Sequence, residues 1–194
     1  MRDRRYPVRA VICRQGDLSE TTYLLIAGRA RSVSASAEGR VILLQEYLPG
    51  DLFGAVAPGD TVDELADVMA IEDLHAGLFT AADFLRLMEA YNCVGLAVSR
   101  MLLRHLRATA SRMVEQTTLS AAGRIYAELL RLARLGDGQT LHPFPNFSTL
   151  AIQVRSTRET VSRTINALER RGLVRREENA LVITAPQRLE DMIA

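Results

Sequence analysis

The sequence predicts an α+β fold, in which a β-rich N-terminal part precedes a helical C-terminal part. Three observations support this prediction. The first 80 residues contain short apolar runs separated by glycines at near-regular intervals, which is typical of a β-sandwich or barrel. From Thr80 onward the apolar residues follow helical spacing. The last sixty residues contain two helical segments followed by two short strand-like segments.

The β-rich part has three runs in which apolar and polar residues partly alternate, at 22–33, 40–48 and 67–78. Glycines punctuate this part of the chain and favour turns. They stand at Gly16, Gly28, Gly39, Gly50, Gly54 and Gly59. The arrangement predicts several short strands joined by tight turns.

A long helix is predicted from about Val94 to about Thr117, because the apolar spacing is helical and no proline interrupts residues 59–142. One apolar stripe follows heptad-like steps: Leu96, Leu103, Leu106, Ala110 and Met113. This helix has two apolar sides, of which one can cover the β-rich part and the other can meet a second copy of the chain. One broad core face within a monomer is the alternative that the spacing leaves open.

Two further helices are predicted after the long one, and we place the domain boundary near 116–120. The first covers 120–136 and can end at Gly136. After the connector 137–146, Asn146 can cap a short second helix.

Another helix follows after a tight turn. Ser156 is expected to be its N-cap, because Glu159 three residues later completes a capping box, and Gly172 can end it. The segments on both sides of Glu178-Asn179 predict two strands around a turn, which would form a wing. Two helices joined by a tight turn and followed by a wing are typical of a winged helix-turn-helix domain.

The second of these two helices has one apolar and one polar face. Val161, Ile165 and Leu168 share the apolar face at 3.6 residues per turn. The polar face is formed by Arg158, Glu159, Ser162, Arg163 and Asn166. Arg can donate two hydrogen bonds to guanine O6 and N7, and Glu can accept one from cytosine N4, so this face predicts base reading in a major groove. A solvated face with local charge pairs is the alternative.

The charge distribution favours a polyanionic partner for the C-terminal half. Residues 1–99 hold 9 Arg against 14 acidic residues, residues 100–194 hold 15 Arg against 9, and the chain has no Lys. A basic half of this kind is typical of a protein that meets nucleic acid.

Hydroxyl and guanidinium groups flank the predicted base-reading face. Hydroxyls at a helix N-terminus can hold phosphates, and further Arg residues would make DNA binding salt-dependent. The residues expected to contact the DNA backbone are Arg155, Ser156, Thr157, Thr160, Arg175 and Arg176.

With these motifs the chain resembles the family of the bacterial cyclic AMP receptor protein and the fumarate–nitrate reduction regulator (Crp–Fnr family). The most specific segment is RETVSR (158–163), followed by the N-x-L-E-x-x-G-L spacing of 166–173. The segments GRIYAELLRLA (123–133) and PGDLFG (49–54) are similar to other parts of the family. The resemblance covers nearly the whole chain.

The resemblance implies a jelly-roll sensor domain over 1–92, a dimerisation helix over 93–119 and a winged helix-turn-helix domain over 120–194. It implies a homodimeric transcription regulator that binds palindromic double-stranded DNA. Half-sites of the TGTGA and TTGAT types both fit. The family can touch RNA polymerase near 140–146, a stretch that is shorter here, so RNA polymerase is only a candidate partner.

The resemblance also assigns roles within the recognition helix. The positions that touch bases in the family match Arg158, Glu159 and Arg163, and Ser162 matches an additional base-reading Ser of the oxygen-responsive branch. Arg155 departs from the family, which usually has Gly in this turn. Either an Arg adopts the turn conformation or the turn is shaped differently.

The effector positions depart from the cyclic AMP branch. Ala55 stands where that branch has a Glu for the ribose 2′-OH, and Glu64-Leu65 stand where it has an Arg-Ser pair for the cyclic phosphate. A carboxylate repels a phosphodiester in a pocket of low dielectric constant. Thr109 matches an adenine-contacting Thr, but Ala110 follows it instead of Ser. We therefore expect that cyclic AMP is not the effector.

No cofactor or metal site is expected. Of the two cysteines only Cys13 lies near the N-terminus, where the oxygen-responsive branch needs several for an iron–sulfur cluster, and both Cys13 and Cys93 are expected to be small buried hydrophobes. His75 and His105 are expected to be structural rather than haem ligands. A cytoplasmic protein is expected, since no apolar run of about 18 residues could span a membrane.

The sequence features favour one of three function classes. A dimeric DNA-binding regulator explains the recognition face, the wing and the local positive charge. A ligand-sensing adaptor that works through protein contacts, with a vestigial DNA-binding domain, is the alternative. An enzyme is not expected, because the sequence offers no phosphate-binding Gly-rich loop, no metal-spacing His cluster and no convincing nucleophile.

Overall fold

The computed structural model describes residues 1–35, 41–56, 58–59 and 65–193. The chain divides into two compact units, Met1–Thr109 and Ala110–Ala194, each with its own hydrophobic core. The first unit is rich in strands and the second is mainly helical, so the predicted α+β class is confirmed. Among the helices that the structure describes, none combines the length and the apolar character that a membrane span requires.

The strands of the first unit form two antiparallel sheets. Over its described residues, these strands are β1 (Arg2–Tyr6), β2 (Val11–Cys13), β3 (Thr21–Ala27), β4 (Ala30–Ala35), β5 (Val41–Tyr47), β6 (Leu52–Gly54), β7 (Asp67–Ala70) and β8 (Leu74–Thr80). The strand orders are β1-β8-β3-β6 and β2-β7-β4-β5. One core cluster contains buried residues of both sheets, which gives the predicted sandwich of jelly-roll type.

Two of the predicted runs contain a turn and therefore two strands each. The run 22–33 bends at Gly28, whose φ is +81°. A Cβ at this position would lie 2.3 Å from the backbone oxygen of Asp73, so only glycine fits between the two sheets here. The run 67–78 likewise supplies β7 to one sheet and β8 to the other. The predicted turn at Gly39 lies outside the described residues.

The remaining elements follow in chain order. They are α1 (Ala81–Ala90), α2 (Asn92–Thr118), α3 (Ala121–Ala133), β9 (Thr140–Leu141), α4 (Phe147–Gln153), α5 (Arg158–Arg170), β10 (Val174–Glu177), β11 (Ala180–Ile183) and α6 (Pro186–Asp191). The predicted long helix is α2, which begins two residues earlier than expected and ends one residue later. The boundary between the two compact units falls inside it, after Thr109.

The first half of α2 packs on the β-sandwich through one side. Val98 and Met101 are buried there, and the Met101 sulfur accepts a hydrogen bond from the Leu52 amide at 3.2 Å. The buried Asp51 carboxylate lies 3.2 Å from the His105 imidazole and accepts from the Leu48 amide at 2.9 Å. His105 therefore holds the helix against the loop before β6, which agrees with its expected structural role.

The other side of α2 is exposed in the single chain. The exposed fraction is 66% for Leu106 and 68% for Met113. The other residues of the predicted stripe, Leu96, Leu103 and Ala110, are exposed as well. A row of exposed leucines along a helix of 27 residues is an unpartnered apolar surface.

The second unit has a core built from α3, α4, α5 and α6 together with a three-stranded sheet of order β10-β11-β9. Its fully buried residues include Ile125 and Leu129 of α3, Leu150 of α4 and Ile165 of α5. The N-cap predicted for α4 occurs, since Asn146 accepts from the amides of Ser148 and Thr149. Helix α3 ends earlier than the predicted Gly136, at Ala133 with Arg134 as its C-cap, so that prediction was wrong. The predicted wing is the β10–β11 hairpin.

Arg124 connects two helix ends within this unit, and replacing it with Met is expected to destabilise the unit by about 1.5–3 kcal/mol. Its Nε donates to the Val154 carbonyl at 2.9 Å and its Nη1 donates to the Leu119 carbonyl at 2.8 Å. Urea denaturation of the full chain, followed by circular dichroism, measures the change. The control is Arg134→Met on the segment after α3, because the Arg134 side chain forms an exposed ion pair with Glu190, and such a pair is worth less than about 1 kcal/mol. Equal losses from both substitutions would contradict the role of the two carbonyl contacts.

Candidate nucleic-acid interface

Helix α5 begins one residue later than the capping box predicted. Its N-cap is Thr157, whose side chain accepts from the Thr160 amide at 3.1 Å. The prediction of Ser156 as N-cap was therefore wrong, and Glu159 lies in the first turn without closing a capping box. The Ser156 amide instead donates to the Ala151 carbonyl at 2.9 Å. This bond ties the turn to α4 and moves the cap to the following hydroxyl.

The turn between α4 and α5 places Arg155 in the left-handed region, with φ of +49°. Of the two alternatives for this position, the first is correct: an Arg adopts the turn conformation. A left-handed conformation costs a residue with a Cβ about 1–2 kcal/mol. The Arg155 side chain is exposed, and it lies in the turn immediately before the N-terminus of α5.

Replacing Arg155 with Gly is expected to stabilise the second unit by about 0.5–1 kcal/mol, because the relief of left-handed strain exceeds the entropic cost of glycine. The same variant is expected to bind DNA more weakly, with a smaller salt dependence. Urea denaturation and anisotropy titrations at several salt concentrations measure both effects. Arg155→Ala is the control, since it removes the guanidinium but keeps the strain. The idea fails if the two variants are equally stable.

The polar face of α5 lines one open groove with a volume of about 1030 Å³. The four predicted base-reading residues line it together with four others: Phe147, Arg158, Glu159, Ser162, Arg163, Asn166, Glu169 and Arg170. The opposite face is buried, with Val161 and Ile165 completely inaccessible. The helical periodicity therefore separated the two faces correctly, and it brings the four predicted side chains to one surface.

Four lining residues of this groove were not assigned to base reading from the sequence. Asn166, Glu169 and Arg170 follow Arg163 at spacings of three, six and seven, which continue the same face. This signal was present in the sequence, although only Asn166 was placed on the polar face. Phe147 comes from α4, and its position depends on the packing of one helix against the other, which the sequence does not encode locally.

The hydroxyl groups expected at phosphates cluster at the start of α5. The Thr157 and Thr160 hydroxyl oxygens lie 2.9 Å apart, and Ser156 is partly buried just before them. The cluster lies beside the N-terminus of a 13-residue helix, where partial positive charge favours an anion.

The two arginines expected on the wing have different surroundings. The Arg175 Nη2 donates to Glu177 Oε1 at 2.8 Å within the same strand. Arg176 instead reaches α5, where its Nη2 donates to Asn166 Oδ1 and its Nε lies 3.3 Å from Glu169 Oε2. Both neighbouring residues were expected to contact the DNA backbone, whereas in the structure they have different partners.

The positions that match the effector pocket of the cyclic AMP branch differ in their exposure to solvent. Ala55 is buried, and its carbonyl accepts from the Thr22 hydroxyl at 2.5 Å. Leu65 has an exposed fraction of 73%, and Thr109 is exposed on α2. Glu64 lies outside the described residues.

Aromatic rings occupy the interior next to Ala55. Phe53, two residues before it, stacks on Tyr23 with a centroid distance of 4.9 Å and lies 5.1 Å from the Tyr47 ring. Burial raises the pKa of the Tyr23 hydroxyl well above its ordinary value, so this phenol is neutral at physiological pH. Three aromatic rings therefore pack together in this part of the sandwich.

The cysteines and histidines occupy separate sites. Cys13 is buried as expected, but Cys93 is exposed at the start of α2, so the prediction for Cys93 was wrong. His75 lies 3.6 Å from Asp3 on the paired strand. Within the described ranges, no group of three His, Cys, Asp or Glu side chains could hold a metal ion.

Both units of the chain match models of known protein families. A family model described as "Cyclic nucleotide-binding domain" matches residues 3–91, and one described as "Crp-like helix-turn-helix domain" matches residues 123–192. The chain is 29% identical to the "Cyclic AMP receptor protein" of Thermus thermophilus, over 97% of this chain and 87% of that protein. It is 25% identical to the "cAMP-activated global transcriptional regulator CRP" of Salmonella typhimurium, over 92% and 88%.

A solved structure, FixK2 from Bradyrhizobium japonicum, has a TM-score of 0.82 to this chain. The match covers 100% of this chain and 97% of that one at 22% sequence identity. At this identity the likeness shows the fold, which is the same combination of a jelly roll, a long helix and a winged helix-turn-helix domain.

Proposed function

The chain belongs to the Crp–Fnr family of transcription regulators, and from this we propose that it binds palindromic DNA sequence-specifically as a homodimer, without cyclic AMP as its effector. The observation that carries the proposal is the groove on α5, where Arg158, Glu159, Ser162 and Arg163 project together from a helix whose other face is buried. This is the arrangement that a recognition helix needs to reach base edges.

Each base-facing side chain has chemistry suited to a major groove. Arg158 and Arg163 can each donate two hydrogen bonds to a guanine, and Glu159 can accept one from a cytosine. The Ser162 hydroxyl can donate or accept. An acidic residue between two arginines weakens contact with phosphates in general, so its presence favours reading of bases over non-specific attraction.

The turn and the helix start supply the contacts that orient this face on the duplex. Arg155 from the turn, the hydroxyls of Ser156, Thr157 and Thr160, and Arg175 from the wing form the phosphate-binding set. Contacts of this kind position a protein on DNA without reading sequence. They also make the affinity fall as salt rises.

The dimer is proposed on the exposed stripe of α2. A two-fold axis between paired long helices would relate the two recognition helices by symmetry, which matches a palindromic site whose half-sites lie about one helical turn apart. The apolar residues of the stripe recur at heptad-like steps, as a helix pair requires.

The proposal about the effector rests on two features. Ala55 offers a methyl group and a carbonyl already used by Thr22, so it supplies no acceptor side chain for a ribose hydroxyl. The Leu65 side chain offers no hydrogen-bond donor for a phosphate. Two relatives are named for cyclic AMP, and this chain differs from that chemistry at the positions where a nucleotide would be held.

The test is fluorescence anisotropy of the effector-free chain on a palindromic duplex with TTGAT and ATCAA half-sites, on one with TGTGA and TCACA half-sites, and on a scrambled duplex. The titrations are repeated with cyclic AMP at near-physiological salt. Selective binding to one palindrome that cyclic AMP leaves unchanged is expected. A selective affinity that appears only with cyclic AMP would overturn the effector proposal, and equal binding to all three duplexes would count against both half-sites.

A further inference from the structure

We propose that Arg176 is a positioning residue for base readout rather than a phosphate contact. It holds the wing against the recognition helix and turns the Asn166 amide so that its NH2 group donates to a base acceptor in the major groove. The inference rests on the proposed function and extends it, because it adds Asn166 to the four base-reading residues and assigns Arg176 a different task.

The Arg176 guanidinium joins three elements of the second unit. From β10 it donates to Asn166 Oδ1 and lies 3.3 Å from Glu169 Oε2, both on α5. Its central carbon lies 5.9 Å from the centroid of the Phe147 ring on α4, within the range of a cation–π contact. A single side chain therefore connects the wing with both helices of the helix-turn-helix.

The neighbouring Arg175 provides an internal comparison. Successive residues of a strand point to opposite faces, and Arg175 pairs along its own strand with Glu177. The exposed fraction of the side chain is 65% for Arg175 but 37% for Arg176. The more exposed Arg175 side chain can therefore turn toward a phosphate, whereas the Arg176 guanidinium is held by residues of α5.

The contact determines which end of the Asn166 amide faces DNA. The Arg176 guanidinium has hydrogen-bond donors only, so the oxygen of the Asn166 amide must be the atom that accepts from it. The Asn166 NH2 group is then directed away from Arg176, on a residue that lines the same groove as the base-reading residues. It can donate to guanine O6 or N7, to adenine N7 or to thymine O4. Without Arg176 the amide could rotate and present its oxygen instead.

Arg176→Lys separates the two roles. A phosphate contact tolerates Lys, which keeps the charge, whereas the fork that reaches Asn166 and Glu169 together is specific to Arg. We expect about a tenfold loss of affinity on the palindrome, less than about a twofold loss on the scrambled duplex, and an unchanged salt slope. Asn166→Ala is expected to give the same loss, and the double variant no further loss, since the two residues act as one unit.

Arg175→Lys is the matched control and is expected to leave base selectivity unchanged. The proposal is overturned if Arg176→Lys keeps its selectivity for the palindrome. It is also overturned if Arg176→Ala weakens both duplexes equally and lowers the salt slope by about one per subunit, which is the signature of a lost phosphate contact.

A failure of the proposed function is distinguishable from a failure of this inference. If the unchanged chain binds no palindrome more tightly than the scrambled duplex, the proposed function is wrong, and so is the proposal that Asn166 reads a base. A double-mutant cycle between Asn166→Ala and Arg176→Lys, measured by urea denaturation of the free chain, then tests the contact itself. Measurable coupling means that the wing is held as described, and additive effects overturn that part as well.

Discussion

An Arg158→Ala chain is expected to bind its palindrome on the order of 100-fold more weakly than the unchanged chain. Each good bidentate contact between Arg and guanine is worth about 1–3 kcal/mol, and a homodimer carries two copies. Arg158 is the first residue of α5, is exposed and lines the groove, so its truncation removes no core packing. The loss on a scrambled duplex is expected to be much smaller, because only one charge per subunit is removed from the phosphates.

The measurement is a pair of anisotropy titrations, on palindrome and scrambled duplex, at the same salt concentration. Arg188→Ala is the matched control, since Arg188 is an exposed Arg on α6, outside the groove. It removes the same charge and is expected to change both affinities by less than about twofold. If Arg158→Ala weakens both duplexes by the same factor, Arg158 contributes attraction to phosphates and does not read bases.

The recognition face could be predicted from the sequence because it depends only on helical periodicity. Val161, Ile165 and Leu168 define a buried side, and the geometry of the helix then fixes which residues lie opposite. The long helix was predictable for the same reason. Both predictions use short-range spacing, and short-range spacing is what a sequence displays directly.

Other features could not be predicted, because they depend on contacts between distant segments. The sequence of the run 22–33 does not reveal that it contains two strands. The turn between them depends on Gly28, which lies against the backbone of Asp73 in a distant segment. β1 was missed because RDRRY is polar, and four of its five residues are exposed at a sheet edge. Its assignment as a strand comes from pairing with β8 and not from its own alternation.

The turn before α5 shows how a small local contact can shift a prediction by one residue. Both Ser156 and Thr157 are good N-cap residues, and the capping-box spacing to Glu159 favoured Ser156. The amide of Ser156 is used by the Ala151 carbonyl, so the chain is still completing the previous helix at that point. In the same way, the difference between Arg175 and Arg176 depends on where the wing folds back onto α5.

A Leu106→Asp chain is expected to be monomeric, with a mass near 21.5 kDa in place of twice that value. Leu106 is exposed at the middle of the stripe on α2, and a helix pair would bury it against a second copy. A carboxylate buried in such an apolar seam without a partner costs several kcal/mol. Analytical ultracentrifugation at micromolar concentration measures the mass.

The same substitution is expected to abolish tight binding to the palindrome, although Leu106 lies far along the chain from α5. Two linked recognition helices bind a palindrome about 10²–10⁴-fold more tightly than one, because the second contact is intramolecular. Ala108→Asp is the matched control: it adds the same charge to an exposed position about 200° around the helix from Leu106. It is expected to remain dimeric and selective. A Leu106→Asp chain that stays dimeric would place the interface elsewhere, and a monomer that still binds the palindrome tightly would show that a single recognition helix suffices.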